Sequence, residues 1–169
     1  MFSISKTYKI LFVVNILILS TVYYIEYGMG VYACNLCKYQ RIPYFLNLIM
    51  LTFLIFDKVK FLKFLYVLIL SISINILISF YHVGIEQKIF SETEVCSIKK
   101  NTNNTSDLLK QLEKQGMSGC SKVTFRLFGL SLSTLNLLTN LSFLIVYAYI
   151  LRNEQKQKNW RNYKSRSRW

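Results

Sequence analysis

Apolar residues in this chain are concentrated in four long runs that are nearly free of charged side chains. A helix needs about 20 apolar residues to cross the hydrocarbon core of a bilayer. The third and fourth runs reach that length outright, and the first two reach it with their flanking tyrosines. Because a backbone in lipid has to satisfy its own hydrogen bonds, such runs predict helices. The pattern therefore predicts an all-α membrane protein, a bundle of four transmembrane helices over about residues 8–25, 42–57, 62–83 and 127–151.

Two longer polar segments, 26–41 and 84–126, follow the first and third predicted spans and so belong on the same side of the membrane. Within the second of them, the stretch 105–117 ("TSDLLKQLEKQGM") predicts a short amphipathic helix that Ser106 can cap. This helix would either pack on the bundle or lie on the outer leaflet as a movable arm.

Charge gives the orientation. The chain has a net charge of +13 and 53% hydrophobic residues, and its charges lie between apolar runs, which favours a lipid bilayer over nucleic acid as the partner. The side with both termini carries 12 basic and 2 acidic residues (net +10), whereas the loop side carries 9 and 6 (net +3). Since basic residues stay in the cytoplasm, we predict cytoplasmic termini, one membrane domain over 1–152 and a basic cytoplasmic tail over 153–169.

That tail is expected to meet anionic lipid rather than nucleic acid. The first span lacks an A-x-A-like site, so we expect it to be retained rather than cleaved.

All four cysteines fall in the two external loops: Cys34, Cys37, Cys96 and Cys120. Thiols on that side of a membrane meet an oxidising compartment, so disulfides are expected. Two structural bridges would be one use, and redox-active pairs another. Four cysteines allow three pairings, which the spacing leaves open. Zinc is disfavoured because the second pair is 24 residues apart and no histidine completes a ligand set, so no metal site is predicted.

The C-x-x-C spacing of Cys34 and Cys37 favours thiol exchange over a structural bridge. Arg41 follows Cys37 by four positions, so on a helix the guanidinium would share its face and stabilise a Cys37 thiolate. Pro43 suits the first position of the second helix, which would leave this face-sharing less regular.

A thiol pair that receives electrons has to pass them on, and the spans contain no haem ligands or flavin fingerprint. A quinone dissolved in the bilayer is therefore the natural acceptor, and Arg41 could stabilise its reduced oxygen. His82, the only histidine, lies at the external end of the third predicted span. It is either an interfacial residue with a satisfied hydrogen bond or a quinone contact or proton donor.

The stretch "CNLCKYQRIPY" at 34–44 resembles the C-x-x-C-x-x-x-R signature of the DsbB family of membrane thiol oxidases. The segments "YHVGIEQ" at 81–87 and "RLFGLSLSTLN" at 126–136 are similar to the rest of the family's pattern, and the resemblance covers about 10–150. It implies a four-helix bundle in the bacterial inner membrane with its cysteine loops in the periplasm. It also implies that the protein reoxidises a periplasmic thioredoxin-fold DsbA-like protein and passes the electrons to ubiquinone or menaquinone.

Carried over by position, the resemblance makes Cys34 and Cys37 the quinone-coupled pair and Cys96 and Cys120 the pair that faces the partner. Arg41 matches the arginine beside the quinone, and His82 lies close to a histidine at the quinone end. In the mechanism this suggests, a partner thiolate attacks Cys96, the freed Cys120 attacks Cys34, and Cys37 leaves as a thiolate that reacts with the quinone. Two departures are Gln40, where some members carry an acidic residue, and Phe125, where near relatives carry tryptophan.

Two other interpretations stay open at this stage. A non-enzymatic membrane assembly protein could carry the same cysteines as inert loop disulfides. A vitamin K epoxide reductase-like quinone enzyme also uses C-x-x-C in a helical bundle, but its active pair usually follows the loop pair, which is opposite to the order found here.

Overall fold

The computed structural model describes residues 4–31, 33–56, 61–91, 96, 120, 123, 125–127 and 129–166. Helix α1 covers Ile4–Tyr23 and continues as a π-helical turn, Tyr24–Gly28. Helices α2 and α3 cover Asn35–Phe56 and Phe61–Glu86. A short antiparallel hairpin of β1 (Arg126–Leu127) and β2 (Leu130–Ser131) leads directly into α4, Leu132–Arg166.

Four helices are long and apolar enough to cross a membrane. These candidate spans are Lys6–Gly28, Asn35–Phe56, Leu62–Glu86 and Leu132–Trp160. The prediction of an all-α protein with four membrane-spanning helices is thereby confirmed. The predicted loop helix over 105–117 lies outside the described residues.

The helices pack in a chain of neighbours: α2 contacts α1 and α3, and α3 contacts α4. Leu51, Leu68 and Tyr147 are fully buried in the apolar core between them. Leu77 and Ile145 are instead exposed on the outside of their helices. An apolar outer surface of this kind suits lipid as the surrounding solvent.

Helix α2 begins at Asn35, seven residues before the predicted start at 42, so Pro43 lies inside the helix and not at its first position. Proline has no N–H to donate, so Pro43 leaves the Tyr39 carbonyl without its helical donor. The side-chain amide of Asn75 on α3 donates to the Gln40 carbonyl (3.3 Å), and that of Asn15 on α1 donates to the Tyr44 carbonyl (3.3 Å). These two bonds tie α2 to α3 and α1 on either side of the proline.

Helix α4 also differs from its predicted bounds at both ends. It starts at Leu132 and not at 127, because residues 126–131 form the hairpin, in which Gly129 adopts a positive φ of 81°. At the other end the helix continues past 152 to Arg166, so the first part of the basic tail extends α4.

The C-terminal end of α3 is followed by a compact turn. The backbone N–H groups of Ile89 and Phe90 donate to the Gly84 carbonyl (2.8 and 3.2 Å), and Lys88 has a positive φ of 59°. The Phe90 ring occupies the space beside Gly84, where an added Cβ would come within 2.1 Å of it. This turn holds the last part of α3, which carries His82, in one position.

Candidate thiol exchange site

Cys34 directly precedes α2, and Cys37 lies in its first turn. The Cys34 carbonyl accepts the first helical hydrogen bond, from the Lys38 N–H (3.2 Å), while its Sγ accepts a bond from the Cys37 N–H (3.4 Å). Cys34 therefore occupies the N-cap position, where a side-chain acceptor is favoured and where the helix dipole stabilises negative charge. The two Sγ atoms are 3.2 Å apart, and both cysteines are free thiols.

His82 reaches this pair from α3. Its Nε2 atom lies 3.5 Å from Cys34 Sγ, and its side chain is buried. The pKa of Cys34 is lowered to about 4: the hydrogen bond from the Cys37 thiol is the largest cause, burial acts in the opposite direction, and His82 adds to the lowering. In the reduced pair, the thiolate is thus favoured at Cys34.

The second cysteine pair covers the first. Cys96 and Cys120 form a disulfide, and both residues are buried against Leu36 and Ile85, with Cys34 packed beside them. The sulfur atoms of Cys34 and Cys120 and a ring nitrogen of His82 all lie within 4.8 Å of one another. Cys120 is bonded to Cys96 here, so the cluster brings a thiol and a disulfide within reach of exchange.

Arg41 lies one helical turn after Cys37 and forms an ion pair with Glu26 on the π-helical turn. Its guanidinium also lies over the Tyr23 ring, 4.9 Å from the centroid. A π-turn shifts the direction of the side chains that follow it and is frequent at functional sites. In the reduced pair, the groups that stabilise a thiolate act on Cys34. The ion-pair partner of Arg41 is Glu26, whereas the sequence predicts that Arg41 stabilises a Cys37 thiolate.

A cavity of about 390 Å³ opens beside Cys37 between α1, α2 and α4. Most of its lining is apolar, from residues such as Leu17 and Leu135. Its polar lining includes Cys37, Gln40, Arg41, Glu26 and Asn136. Cavities of this size and character suit small, mostly apolar ligands.

All four predicted cysteines converge in one place, and Arg41 lines the cavity beside them. His82 does not line that cavity. The structure gives it a contact with the Cys34 sulfur, and the contact between His82 and a quinone stays a prediction.

Several polar residues at the site were not predicted. Gln40 contacts His82 Nδ1 (3.3 Å) and accepts a hydrogen bond from Asn136 (3.0 Å), which in turn accepts one from the Tyr44 hydroxyl (2.6 Å). Asn140 donates to the Tyr44 oxygen (3.1 Å). Asn136 and Asn140 lie inside a predicted membrane span, where polar side chains are costly unless they are paired, so the sequence carries a signal for these two amides but none for Gln40, which lies in the predicted loop 26–41.

The fold and the site together define a membrane-spanning protein that brings two cysteine pairs together beside an apolar cavity. The family model for the disulfide bond formation protein DsbB matches residues 5–150. The chain belongs to the DsbB family, and it is therefore a multi-pass membrane protein and an oxidoreductase of disulfide bond formation. It is also similar to an uncharacterized protein of Rickettsia prowazekii (strain Madrid E), with 32% identity over 146 residues that cover 84% of each chain. No solved structure shows a significant match to the chain.

Proposed function

We propose that this protein reoxidises a periplasmic, thioredoxin-fold DsbA-like dithiol protein and passes the electrons to a membrane quinone, ubiquinone or menaquinone. The observation that carries the proposal is the division of the C-x-x-C pair. Cys34 faces the Cys96–Cys120 disulfide, and Cys37 lines the apolar cavity with Arg41. A pair arranged in this way can take electrons from one side and deliver them to the other.

The first half of the cycle is disulfide exchange with the partner. One thiolate of the reduced partner attacks Cys96, which breaks the Cys96–Cys120 bond and releases Cys120 as a thiolate. The second partner thiol then attacks the partner sulfur bound to Cys96, so the partner leaves oxidised and both loop cysteines are reduced. Two electrons and two protons have moved from the partner to Cys96 and Cys120.

The second half passes these electrons to the C-x-x-C pair. Cys120 attacks Cys34 of the Cys34–Cys37 disulfide and releases Cys37 as a thiolate. Cys96 then attacks Cys120, which restores the Cys96–Cys120 bond and frees Cys34. The proximity of the Cys34 and Cys120 sulfur atoms supports the first of these attacks, and the lowered pKa of Cys34 supports the second, in which Cys34 is the leaving group.

The residues around Cys37 fit a quinone. Arg41 lines the cavity, and its buried Nε has no hydrogen-bond partner among the described residues. The Arg41 guanidinium would donate to a quinone oxygen and stabilise negative charge there. The quinone, when bound, accepts two electrons and two protons as the Cys34–Cys37 disulfide reforms.

The charge distribution supports one orientation for this activity. With a net charge of +10 on the side of the termini and +3 on the side of the loops, we propose that the termini are cytoplasmic and the cysteines periplasmic, in the bacterial inner membrane. An impermeant maleimide applied to reduced whole cells should then label Cys34 and leave a Lys156→Cys variant, in the exposed part of α4, unlabelled until the cells are lysed.

The direct test is a reconstituted reaction. Purified protein in lipid is mixed with a reduced DsbA-type protein and with a short-chain ubiquinone or menaquinone, and partner thiols and quinone are followed together. We expect one quinone consumed for each partner disulfide formed, and none with the Cys37→Ser variant. If wild-type protein leaves the quinone unchanged while its own disulfides stay intact, the cysteines are structural and the proposal is wrong.

A further inference from the structure

The amide of Gln40 lies between His82 and Asn136 inside the bundle, and its side chain is buried. Its Nε2 is 3.3 Å from His82 Nδ1, and its Oε1 accepts a hydrogen bond from Asn136 Nδ2 at 3.0 Å. An amide can present either its nitrogen or its oxygen to a neighbour, so the orientation has to be established from groups whose role is fixed.

Two backbone carbonyls, which can only accept hydrogen bonds, fix the orientation. The Ser79 hydroxyl donates to the Asn75 carbonyl (2.7 Å), so its oxygen is free to accept from Asn136 Nδ2 (2.9 Å). Asn140 Nδ2 donates to the Asn136 carbonyl (2.8 Å) and also to Asn136 Oδ1 (3.0 Å). Asn136 therefore turns its nitrogen towards Ser79 and Gln40, and its oxygen towards Asn140.

The same orientation passes on to the imidazole. Because Asn136 donates to Gln40 Oε1, the Gln40 nitrogen is the group that faces His82, and His82 Nδ1 has to accept from it. We propose that Gln40 is a positioning residue that holds His82 as a neutral imidazole with its proton on Nε2, where this N–H donates to Cys34 Sγ. The tautomer stands independently of the proposed function, whereas its use in thiol exchange rests on that function.

The charged and titratable groups around His82 are consistent with this arrangement. Cys34 Sγ (3.5 Å) and Glu86 Oε1 (3.7 Å) both face Nε2, and of the two only the sulfur lies within hydrogen-bond reach of it. The other Glu86 oxygen accepts a bond from the Ser133 hydroxyl on α4. On the Nδ1 side the facing group is the Gln40 N–H, which opposes a second proton on the ring. A neutral Nε2–H donor can stabilise a Cys34 thiolate while the ring keeps its own proton.

His82 is the only histidine in the chain, so ¹⁵N-histidine labelling gives signals from this ring alone. The reduced protein in lipid bilayers is measured by solid-state NMR at neutral pH. We expect a protonated Nε2 and an unprotonated Nδ1. Replacement by a carboxylate in Gln40→Glu should move a proton onto Nδ1, and Gln40→Met, which has no donor, should populate both tautomers.

Asn47→Leu is the matched control. Asn47 is a fully buried amide on the same helix, and neither of its side-chain polar atoms has a hydrogen-bond partner among the described residues. Its spectrum should equal that of the wild type. Protonated Nδ1 in the wild type, or a Gln40→Glu spectrum identical to the wild type, would overturn the proposal. These outcomes are separate from quinone reduction, since a protein with the expected tautomer and no oxidase activity would overturn only the proposed function.

Discussion

The Nε2 atom of His82 lies 3.5 Å from the Sγ atom of Cys34, although the two residues are 48 positions apart in the chain. The contact joins the C-terminal end of α3 to the residue that precedes α2. It places a nitrogen donor at the sulfur that also approaches Cys120, so one histidine contacts the point where the two cysteine pairs meet.

The first prediction concerns the pH dependence of Cys34 reactivity. With its pKa lowered to about 4, Cys34 is a thiolate at neutral pH and loses that form only as the pH falls through the lowered value. His82→Leu should raise this pKa, and Cys37→Ala, which removes the largest cause, should raise it more. At pH 6 we expect alkylation of Cys34 to slow by about tenfold or more in either variant.

The measurement is the rate of iodoacetamide labelling of the Cys34 peptide between pH 4 and 9, followed by mass spectrometry. Lys38→Ala, which changes an exposed charge on the same turn, is the control and should follow the wild-type curve. Equal pH profiles for the wild type, His82→Leu and Cys37→Ala would contradict the assignment of the thiolate to Cys34.

The second prediction concerns exchange between the pairs. Because Cys34 Sγ lies within 4.8 Å of Cys120 Sγ, the Cys34 thiolate of the Cys37→Ser variant should attack Cys120 of the intact Cys96–Cys120 disulfide, which forms a Cys34–Cys120 disulfide and releases Cys96 as a thiolate. The Cys34→Ser variant should not form the corresponding Cys37–Cys120 bond. Peptide mapping under non-reducing conditions measures both species, and similar yields in the two variants would show that the sulfur atoms are not divided as described.

The third prediction separates two roles of Arg41. The Arg41 and Glu26 side chains are 11% and 14% exposed, and loss of one partner of a buried ion pair costs about 3–5 kcal/mol. Arg41→Met should therefore lower thermal stability in detergent, and adding Glu26→Gln should restore most of it. In both the single and the double variant, quinone-dependent turnover should be about tenfold or more below that of the wild type, because a charge-assisted hydrogen bond to the quinone is missing. Recovery of turnover together with stability in the double variant would limit Arg41 to a structural role.

The fourth prediction concerns the buried amides. Asn136→Leu removes bonds to Gln40, Tyr44 and Ser79 at once, and each buried group left unpaired costs about 1–3 kcal/mol. Asn47→Leu removes an amide that makes no hydrogen bond to the described residues and should leave stability unchanged or raise it. Thermal unfolding in detergent compares them, and equal losses would show that the network contributes no more than packing.

Hydropathy alone identifies the four spans because the cost of a charge in lipid makes their limits visible in the sequence. The predicted start of α2 is seven residues late because Lys38 and Arg41 interrupt the apolar run, whereas in the structure Arg41 is paired with Glu26 and the helix continues through Pro43. The spacing of Cys34, Cys37 and Arg41 marks this segment as a candidate thiol exchange site, and the roles of the three residues in that chemistry stay predictions.

The partners of these residues could not be predicted in the same way. Glu26 and Arg41 are 15 positions apart, and Glu26 is one charge among several in a predicted loop. Gln40 and Asn136 are 96 positions apart, and their contact depends on how α2 and α4 are rotated in the bundle. A single amide in an apolar run indicates that a partner exists but does not identify it.

The sulfur atoms of Cys34 and Cys37 are 3.2 Å apart, yet one adjoins the loop disulfide and the other adjoins the cavity. Under the proposed function, the secreted client and the respiratory carrier are selected by different surfaces and never meet. The two specificities are therefore independent. Substitutions around the cavity can change which carrier is accepted without changing which client is selected, because only the Cys34–Cys37 bond connects the two surfaces.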